Sequence, residues 1–448
     1  MMLKYICLSI ILSSFSFSTT YYIPTDFDLI QDGIYNAQNG DTIIVHPGTY
    51  HENINFYGKS IFLTSLYYLD DAETYISNTI IDGSSIFTTV TFENQETNEA
   101  FLNGFTVRNG TGNVEEQRGG GITIRKGSSP TIQSTVVTNN YCRKGGGILI
   151  ADSEPIFISV IVKNNHANGG SYDSLGGGIY CLRSDIRMSK CIIDSNTSDR
   201  NGGGIYYRRS SAINSHLLII NNHADCAGGG IAFSASSGYF DQVTISQNTA
   251  NAGGAIQSWY DDSAPTFNNS IVWGNYPQTF YVGGGDATLS FFYSDVEDPD
   301  FSLAGSIYQN PLLRNDYNLS EDSPCIDSGD PNHALDPDGT IVDMGMYYFN
   351  QALSVEEELE ISNFRLFNAY PNPFNPITTI GFMVESIQLL SLQIYNINGI
   401  LIETLVNNNL ELGYNEVTWD ASNFPSGIYF AKLITNNNIR TQKLMLVK

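Results

Sequence analysis

A run of three small residues followed by isoleucine recurs six times in the middle of this 448-residue chain, and no other feature constrains the fold as strongly. Successive runs begin 26, 31, 26, 26 and 25 residues apart. After each run comes an asparagine at a matching position, and a valine or isoleucine stands three residues before that asparagine. The runs begin at Gly119, Gly145, Gly176, Gly202, Gly228 and Gly253, and the asparagines are Asn140, Asn165, Asn196, Asn222, Asn248 and Asn275.

The segments within each repeat predict strands rather than helices. Short apolar segments such as Thr131–Gln133 and Thr135–Val137 are separated by Gly, Ser-Pro or Asn-Asn turns and show no helical period. One repeat cannot bury its apolar face alone, but stacked repeats can, because stacking superposes equivalent residues. The sequence therefore predicts a right-handed parallel β-helix with one repeat per turn, inward columns of Ile and Val, and an asparagine ladder. The 31-residue step predicts a surface loop around residues 169–173.

The composition narrows the classes of function. Lys and Arg number 21 against 46 Asp and Glu, which gives a formal net charge of −25. This charge argues against nucleic acid as a partner, because binding a phosphate backbone requires clustered cations. Apolar residues make up 42% of the chain, which excludes a disordered acidic protein. Frequent glycine together with β-branched and aromatic residues indicates an all-β protein.

Residues 1–18 predict a signal peptide. Lys4 precedes an apolar segment from Tyr5 to Phe17 that is too short to span a bilayer, and residues 16–18 form a small-x-small cleavage site. Five cysteines follow this segment, with no C-x-x-C pair among them. We expect them to pack as small apolar thiols, and a Cys181–Cys191 disulfide is the alternative.

Three segments resemble secreted, pectin-lyase-like β-helix proteins. Residues 29–63 resemble the first turn and short capping helix of that fold, residues 102–110 (LNGFTVRNG) resemble a further turn, and residues 316–345 resemble its closing segment. The resemblance covers about residues 22–348. Because this fold supports lyases, hydrolases, esterases, epimerases and non-catalytic adhesins, it does not define the activity.

This resemblance also implies the domain boundaries. We expect a β-helix domain over residues 19–350. Its predicted parts are an N-terminal cap at about residues 22–53, regular turns at about 102–276 and a closing segment at about 310–348.

A different pattern follows the β-helix. We expect an acidic linker at residues 351–362 and a separate module at residues 363–448, whose short strands and Pro, Asn-Gly and Ser-Gly turns predict a small Ig-like β-sandwich. The segments YPNPFNP, IYNING, VTWDAS and SGIYF resemble the type A sorting domain of the type IX secretion system. The sorting motif consists of Tyr370, Pro371, Asn372, Pro373, Phe374, Asn375 and Pro376.

The resemblance of this module implies partners and a destination. The partners are the type IX secretion machinery and its C-terminal-domain processing protease. The implied location of the processed protein is extracellular, either attached to the cell surface or released. An ordinary Ig-like sugar-binding domain is the alternative interpretation of the module.

The sequence leaves catalysis open. It contains no G-x-S-x-G, P-loop or H-E-x-x-H motif. Polygalacturonase-like enzymes carry N-T-D, D-D and G-H-G segments, of which only Asp261-Asp262 has a counterpart here, and no pectin methylesterase or pectate lyase signature is visible beyond the cap. We expect a β-helix that binds extracellular polysaccharide or acts on it as a polysaccharide lyase or glycoside hydrolase. The alternative is a non-catalytic adhesin or structural surface solenoid.

Strand alternation predicts a binding face. If the isoleucine after each glycine cluster points inward, the next residue and the one two positions further point outward and are exposed. Aromatic rings beside guanidinium and carboxylate groups suit a sugar chain, although outward rings that only stabilise the sheet are the alternative. The predicted substrate-binding residues are Tyr180, Tyr206, Arg208, Trp259, Asp261 and Asp262.

One acidic loop is a candidate calcium site, and calcium is the one cofactor that the sequence suggests. Asp330, Asp336, Asp338 and Asp343 offer oxygen ligands within a short segment, and Gly339 permits a sharp turn. The spacing lacks the third ligand of an EF-hand loop. Solvated carboxylates are therefore the alternative.

Overall fold

The computed structural model describes most of the chain. The described residues are 18–112, 118–169, 174–301, 303–351, 365–366, 369, 371–384, 389–397, 399–409, 413–434 and 439–448. Residues 1–17 of the predicted signal peptide, residues 170–173 of the predicted loop, most of the predicted linker and Tyr370 lie outside them. The chain divides into two units, one that extends to Gln351 and one that includes Ala352–Lys448.

The first unit is a solenoid of short parallel strands, which confirms the predicted β-helix. Its strands form an 18-stranded sheet that covers two faces, a nine-stranded sheet and a five-stranded sheet, called here sheets A, B and C. The helices are Ile30–Asn36, Tyr67–Asp70 and Thr74–Asn78, with a 3₁₀ turn at Pro299–Phe301. The first of these helices lies in the segment that resembles a capping helix.

The strands of the three sheets have the following bounds. Sheet A contains Thr20–Ile23, Thr42–Val45, Gly48–Tyr50, Phe62–Ser65, Thr79–Asp82, Phe101–Asn103, Thr106–Arg108, Thr131–Gln133, Val136–Thr138, Ile156–Ile158, Ile161–Lys163, Asp185–Asp194, Ser211–Ile220, Ser237–Ser246, Ala264–Asn268, Ile271–Trp273, Ser290–Phe292 and Asp295–Val296. Sheet B contains Ile54–Asn55, Val90–Phe92, Ile122–Arg125, Ile148–Ala151, Ile179–Leu182, Ile205–Arg208, Ile231–Ser234, Ile256–Trp259 and Phe280–Gly283. Sheet C contains Tyr141–Cys142, His166–Ala167, Thr197–Ser198, His223–Ala227 and Thr249–Ala252.

The register of sheet B superposes equivalent residues of successive repeats. Ile179 is paired with Ile205, and Ile205 with Ile231. Burying such a column removes apolar surface from water at about 25 cal/mol per Å². The isoleucines that follow the glycine clusters and the aliphatic residues that precede the asparagines are all fully buried, as predicted: Ile122, Ile148, Ile179, Ile205, Ile231, Ile256, Val137, Val162, Ile193, Ile219, Ile245 and Val272.

The glycine clusters are explained by the tight turn that they form beside the asparagine ladder. The first glycine of a cluster, such as Gly202, has a φ of +67°, a left-handed conformation that favours glycine. The third, such as Gly204, leaves no room for a side chain, because a Cβ there would lie 2.6 Å from the carbonyl oxygen of Gly230 and 3.1 Å from the amide carbon of Asn222. One glycine therefore supplies the backbone conformation and another allows close packing.

The second unit contains two antiparallel sheets around its own apolar core, which confirms the predicted β-sandwich. Trp419 and Phe382 come from one sheet, and Leu392 and Leu433 from the other, and all four are buried. The three-stranded sheet contains Arg365–Leu366, Ile377–Val384 and Gly413–Asp420, and the four-stranded sheet contains Leu389–Asn396, Leu401–Asn409, Gly427–Ile434 and Ile439–Leu446. In the described part of the chain, no helix has the length and apolarity needed to cross a membrane.

Candidate functional site

A groove follows the outer side of sheet B and extends to the corner where its strands end. Its volume is about 1010 Å³, and its walls come from four neighbouring strands, from Ile205–Arg208 to Phe280–Gly283. Five of the six predicted substrate-binding residues line this groove: Tyr206, Arg208, Trp259, Asp261 and Asp262. Five of the residues that were predicted from the sequence thus lie on one surface of the solenoid.

Strand alternation directs the groove residues outward. Tyr207 is fully buried in the solenoid core, where its ring stacks on Phe233 with 5.2 Å between centroids. Its neighbours Tyr206 and Arg208 therefore lie on the opposite face of the sheet. The register aligns Arg208 with Ser234 and Ser234 with Trp259. Arg208 and Trp259 stand two turns apart on one face, about 10 Å between Cα atoms.

Trp259 and Tyr281 form an aromatic pair in the groove. Their rings are stacked, with 4.9 Å between centroids and 21° between planes. Two glycines make room for the indole ring, because a Cβ on Gly283 would lie 2.9 Å from Cζ3 of Trp259, and one on Gly284 would lie 2.7 Å from its Nε1. The exposed ring of Tyr260 meets Trp259 edge-on at 6.4 Å. The backbone thus holds a half-buried aromatic surface at the end of the groove.

Charged groups of both signs accompany this aromatic surface. Asp261 and Asp262 are exposed, and the Oδ1 of Asp261 accepts a hydrogen bond of 3.1 Å from the backbone N–H of Asp286. Arg208 and Arg209 are also exposed, and neither forms an ion pair with any described residue. Four other arginines of the solenoid lie 2.8 Å or less from a carboxylate oxygen, namely Arg108, Arg118, Arg125 and Arg183.

The prediction that Tyr180 and Tyr206 are exposed is wrong. The two rings stack as neighbours, with 5.8 Å between centroids, but only 2% and 7% of their surfaces are exposed. The glycine-rich turn before each strand folds back over the outward residue, so that a Cβ on Gly202 would lie 2.8 Å from the Cβ of Tyr206. Burial raises the pKa of the Tyr206 hydroxyl. Equivalent outward residues are buried beneath the same turns: Thr123, Leu149, Ala232 and Gln257.

The sequence reasoning missed Tyr281, Tyr260 and Arg209. Tyr281 belongs to the strand Phe280–Gly283, which pairs in register with Ile256–Trp259. In this turn no glycine cluster precedes the strand, so the repeat pattern did not indicate that a strand lies here. Its Phe-Tyr-Val segment shortly after Asn275 is the signal that indicates a further strand.

The four carboxylates of the predicted calcium site accept hydrogen bonds from backbone groups of their own loop. Asp343 accepts hydrogen bonds from the N–H groups of Asp327 at 2.7 Å and Phe349 at 2.6 Å, and Asp336 accepts one from Asp343 at 2.8 Å. Burial raises the pKa of Asp343 to about 6. Within the described ranges, no three His, Cys, Asp or Glu side chains form a group that could hold a metal ion. Asp330 and Asp338 likewise accept hydrogen bonds from Asn332, Thr340 and Gln351, and calcium binding here stays a prediction.

The cysteines of the structure are free thiols. Cys181 and Cys191 are buried in the core and form no disulfide, so that alternative is wrong. Burial raises the pKa of Cys191 to about 12, which makes its thiolate scarce at neutral pH. These thiols fill space in the solenoid core.

Comparison with known families identifies the class of the solenoid. Residues 31–272 match the family described as the right-handed beta helix region, and the chain belongs to this family. Two solved structures are similar at 9% identity. One is a pectin methylesterase in complex with hexasaccharide VII, with a TM-score of 0.33; the match covers 65% of this chain and 91% of that one. The other is a mutant pectin methylesterase in complex with hexasaccharide IV, with a TM-score of 0.26; the match covers 68% of this chain and 98% of that one. No curated protein matches the chain.

The C-terminal module identifies how the protein is exported. Residues 368–448 match the family described as the secretion system C-terminal sorting domain. The chain is therefore a β-helix protein that the type IX secretion system exports.

The sorting motif contacts the last strand of this module. The side chain of Asn372 donates a hydrogen bond to the carbonyl oxygen of Lys443 and accepts one from the N–H of Met445, both at 2.8 Å. The ring of Phe374 is buried against Trp419, with 5.3 Å between centroids. The motif thus contributes to the fold of the sandwich at its C-terminal strand.

Proposed function

We propose that the solenoid binds an extracellular polysaccharide in the groove along sheet B. The observation that carries this proposal is the stacked pair Trp259 and Tyr281, which shares the groove with Arg208 and Arg209. Apolar and polar recognition groups thus meet on one exposed surface of a solenoid that is exported from the cell.

The aromatic pair suits the apolar faces of sugar rings. Flat aromatic side chains offer a large contact area at a low cost in conformational entropy, and sugar C–H groups pack against such faces. The indole ring is held by the backbone of Gly283 and Gly284 before any ligand binds, which reduces the ordering required on binding.

The charged groups suit the polar edges of the same ligand. Arg208 and Arg209 retain guanidinium donors, and Asp261 and Asp262 supply carboxylate acceptors for sugar hydroxyl groups. An open groove of about 1010 Å³ offers space for several consecutive sugars of a chain.

A polysaccharide array tests this proposal with the full-length protein. We expect the protein to bind at least one polysaccharide, and Trp259→Ala/Tyr281→Ala to bind it roughly tenfold more weakly or worse, which corresponds to a loss of about 1.4 kcal/mol. A matched control is Trp273→Ala/Tyr308→Ala, which removes another Trp–Tyr pair, 5.7 Å apart and outside the groove. Equal losses in both variants, or no binding by the wild type, would contradict the proposal.

Catalysis is a distinct outcome of the same assay. A new reducing end or unsaturated product that appears with the bound polysaccharide would indicate a hydrolase or lyase. Binding without turnover would indicate a non-catalytic carbohydrate-binding solenoid. Asp261→Asn/Asp262→Asn would abolish turnover if these exposed carboxylates take part in proton transfer.

The sorting domain defines the proposed route to this ligand. We propose that the processing protease of the secretion system removes residues 363–448, and that the solenoid is then attached to the cell surface or released. Deletion of residues 363–448 should leave the protein in the periplasm, as measured by fractionation and immunoblotting. Export of the truncated chain at the wild-type level would contradict this role.

A further inference from the structure

A smaller pocket of about 280 Å³ adjoins the groove and shares Arg208 and Arg209 with it. The charged residues that line this pocket are Lys144, Arg183, Arg208 and Arg209. Among the residues that the structure describes, no Asp or Glu lines it. The chain as a whole has a net charge of −25. The charged residues of this pocket are thus all basic, although the protein is strongly acidic. The fold alone does not require such a concentration of positive charge.

The repeat builds this pocket from equivalent positions of neighbouring turns. Leu182 pairs with Arg208, and the N–H of Arg183 donates a 3.0 Å hydrogen bond to the carbonyl oxygen of Arg208. Arg183 and Arg209 both occupy the left-handed corner after a strand of sheet B, with φ values of 47° and 51°. Their Cα atoms therefore lie about 4.8 Å apart along the solenoid axis.

Such stacking of like charges is unfavourable unless counter-charges are present. Asp152, at the same corner of the preceding turn, binds Arg183 through two hydrogen bonds of 2.7 Å. In the next turn, Ala235 occupies the corner position that is equivalent to Arg209, and Ser234 is the strand neighbour of Arg208. Neither guanidinium therefore has a carboxylate at these positions, as Arg183 has in Asp152. An anionic ligand would supply the missing counter-charge.

We propose that this basic pocket is a subsite for an anionic substituent of the bound polysaccharide, either a carboxylate or a sulfate ester. The proposal rests on the proposed function and defines its ligand class as an acidic glycan. The planar fork of a guanidinium pairs with the oxygens of such groups through two parallel hydrogen bonds. Together the two cavities extend over six strands of sheet B, from the strand of Tyr281 to the strand of Leu149. The five steps between these strands, at 4.8 Å each, give a length of about 24 Å, which suits an extended polysaccharide chain.

Calorimetric titration of the full-length protein with three polymers tests the subsite. The polymers are dextran, which is neutral, dextran sulfate and polygalacturonate. We expect at least one charged polymer to bind at least tenfold more tightly than dextran. Arg208→Gln/Arg209→Gln should weaken that binding by tenfold or more and weaken binding to dextran by a clearly smaller factor, because a neutral chain loses only hydrogen bonds to the two side chains. A preference for dextran sulfate identifies sulfate as the substituent, and a preference for polygalacturonate identifies carboxylate.

The control is Arg187→Gln/Arg314→Gln, which removes the same charge from exposed positions outside both cavities. This variant should bind the charged polymers nearly as the wild type does, and both variants should keep the wild-type melting temperature. Equal weakening in the two double variants would overturn the subsite. Binding of dextran as tightly as both charged polymers would overturn it too, yet leave the proposed function standing. Absence of binding to every polysaccharide would overturn both.

Discussion

The side-chain amide of Asn222 donates a 2.9 Å hydrogen bond to the Oδ1 of Asn248, the equivalent residue of the next turn. The same amide donates to the carbonyl oxygen of Ile193, and the Oδ1 of Asn222 accepts from the backbone and side-chain N–H groups of Asn196. Every polar atom of this fully buried side chain therefore has a partner. The ladder continues through equivalent residues: Asn140, Asn165, Asn196, Asn222, Asn248 and Asn275.

We predict that Asn222→Ala destabilises the solenoid by about 3 kcal/mol or more. The substitution removes the acceptor of two buried N–H groups of Asn196, one in the backbone and one in the side chain, at roughly 1–3 kcal/mol for each unsatisfied group. Chemical denaturation measures the loss. Asn168→Ala, at an exposed position of the same solenoid, is the control and should change the stability by less than about 0.5 kcal/mol. Equal stabilities of the two variants would contradict this account of the ladder.

We predict that Gly283→Ala weakens polysaccharide binding although it removes no contacting side chain. Its Cβ would lie 2.9 Å from Cζ3 of Trp259, so the indole ring must shift from its present position beside Tyr281. Array binding and the tryptophan emission maximum should both change. Gly427→Ala, whose Cβ would meet no atom within 4 Å, should change neither. A Gly283→Ala protein with wild-type affinity would show that the position of the ring does not matter.

We predict that Asp295→Asn stabilises the protein at neutral pH. Asp295 is buried, and burial raises its pKa to about 6, above the value of about 3.9 in an unfolded chain. Because the folded state binds this proton more tightly, the wild type loses stability as the pH rises from about 4 to about 6, and the loss is complete above that range. The variant should therefore be more stable than the wild type by about 3 kcal/mol at pH 7.5, and the advantage should vanish near pH 4.

Thermal unfolding of both proteins at pH 4 and pH 7.5 measures this difference. Asp322→Asn, at an exposed position, is the control and should give no such pH-dependent advantage. A stability difference between Asp295→Asn and the wild type that is the same at both pH values would contradict the assignment of the effect to this carboxyl.

Repetition made the fold and part of the groove predictable from the sequence. Stacked turns place Ile205 against Ile231 and Asn222 against Asn248. Once the repeats are aligned correctly with one another, every inward column of residues is therefore defined. The same phase placed Arg208 and Trp259 on one outer face. Local alternation is a property of the strand itself and needs no knowledge of distant contacts.

The remaining features depend on the path of the chain outside the strands. Tyr206 points outward as alternation requires, but the turn at Gly202 covers it. The hydrogen bonds within the acidic loop could not be predicted either, because the backbone N–H groups that Asp343 binds become its neighbours only when the loop closes. Tyr281 was missed because its turn departs from the repeat.

Tryptophan fluorescence during polysaccharide titration tests the central claim most directly. The chain has three tryptophans, of which Trp259 alone lines the groove; Trp273 lies outside it and Trp419 is buried in the sandwich core. Titration of the full-length protein with a polysaccharide selected on the array should give a saturable change in emission. Its midpoint should match the Kd from calorimetry. In Trp259→Phe this change should disappear while the melting temperature stays close to that of the wild type. An undiminished change in Trp259→Phe would contradict the claim that the ligand lies on this ring.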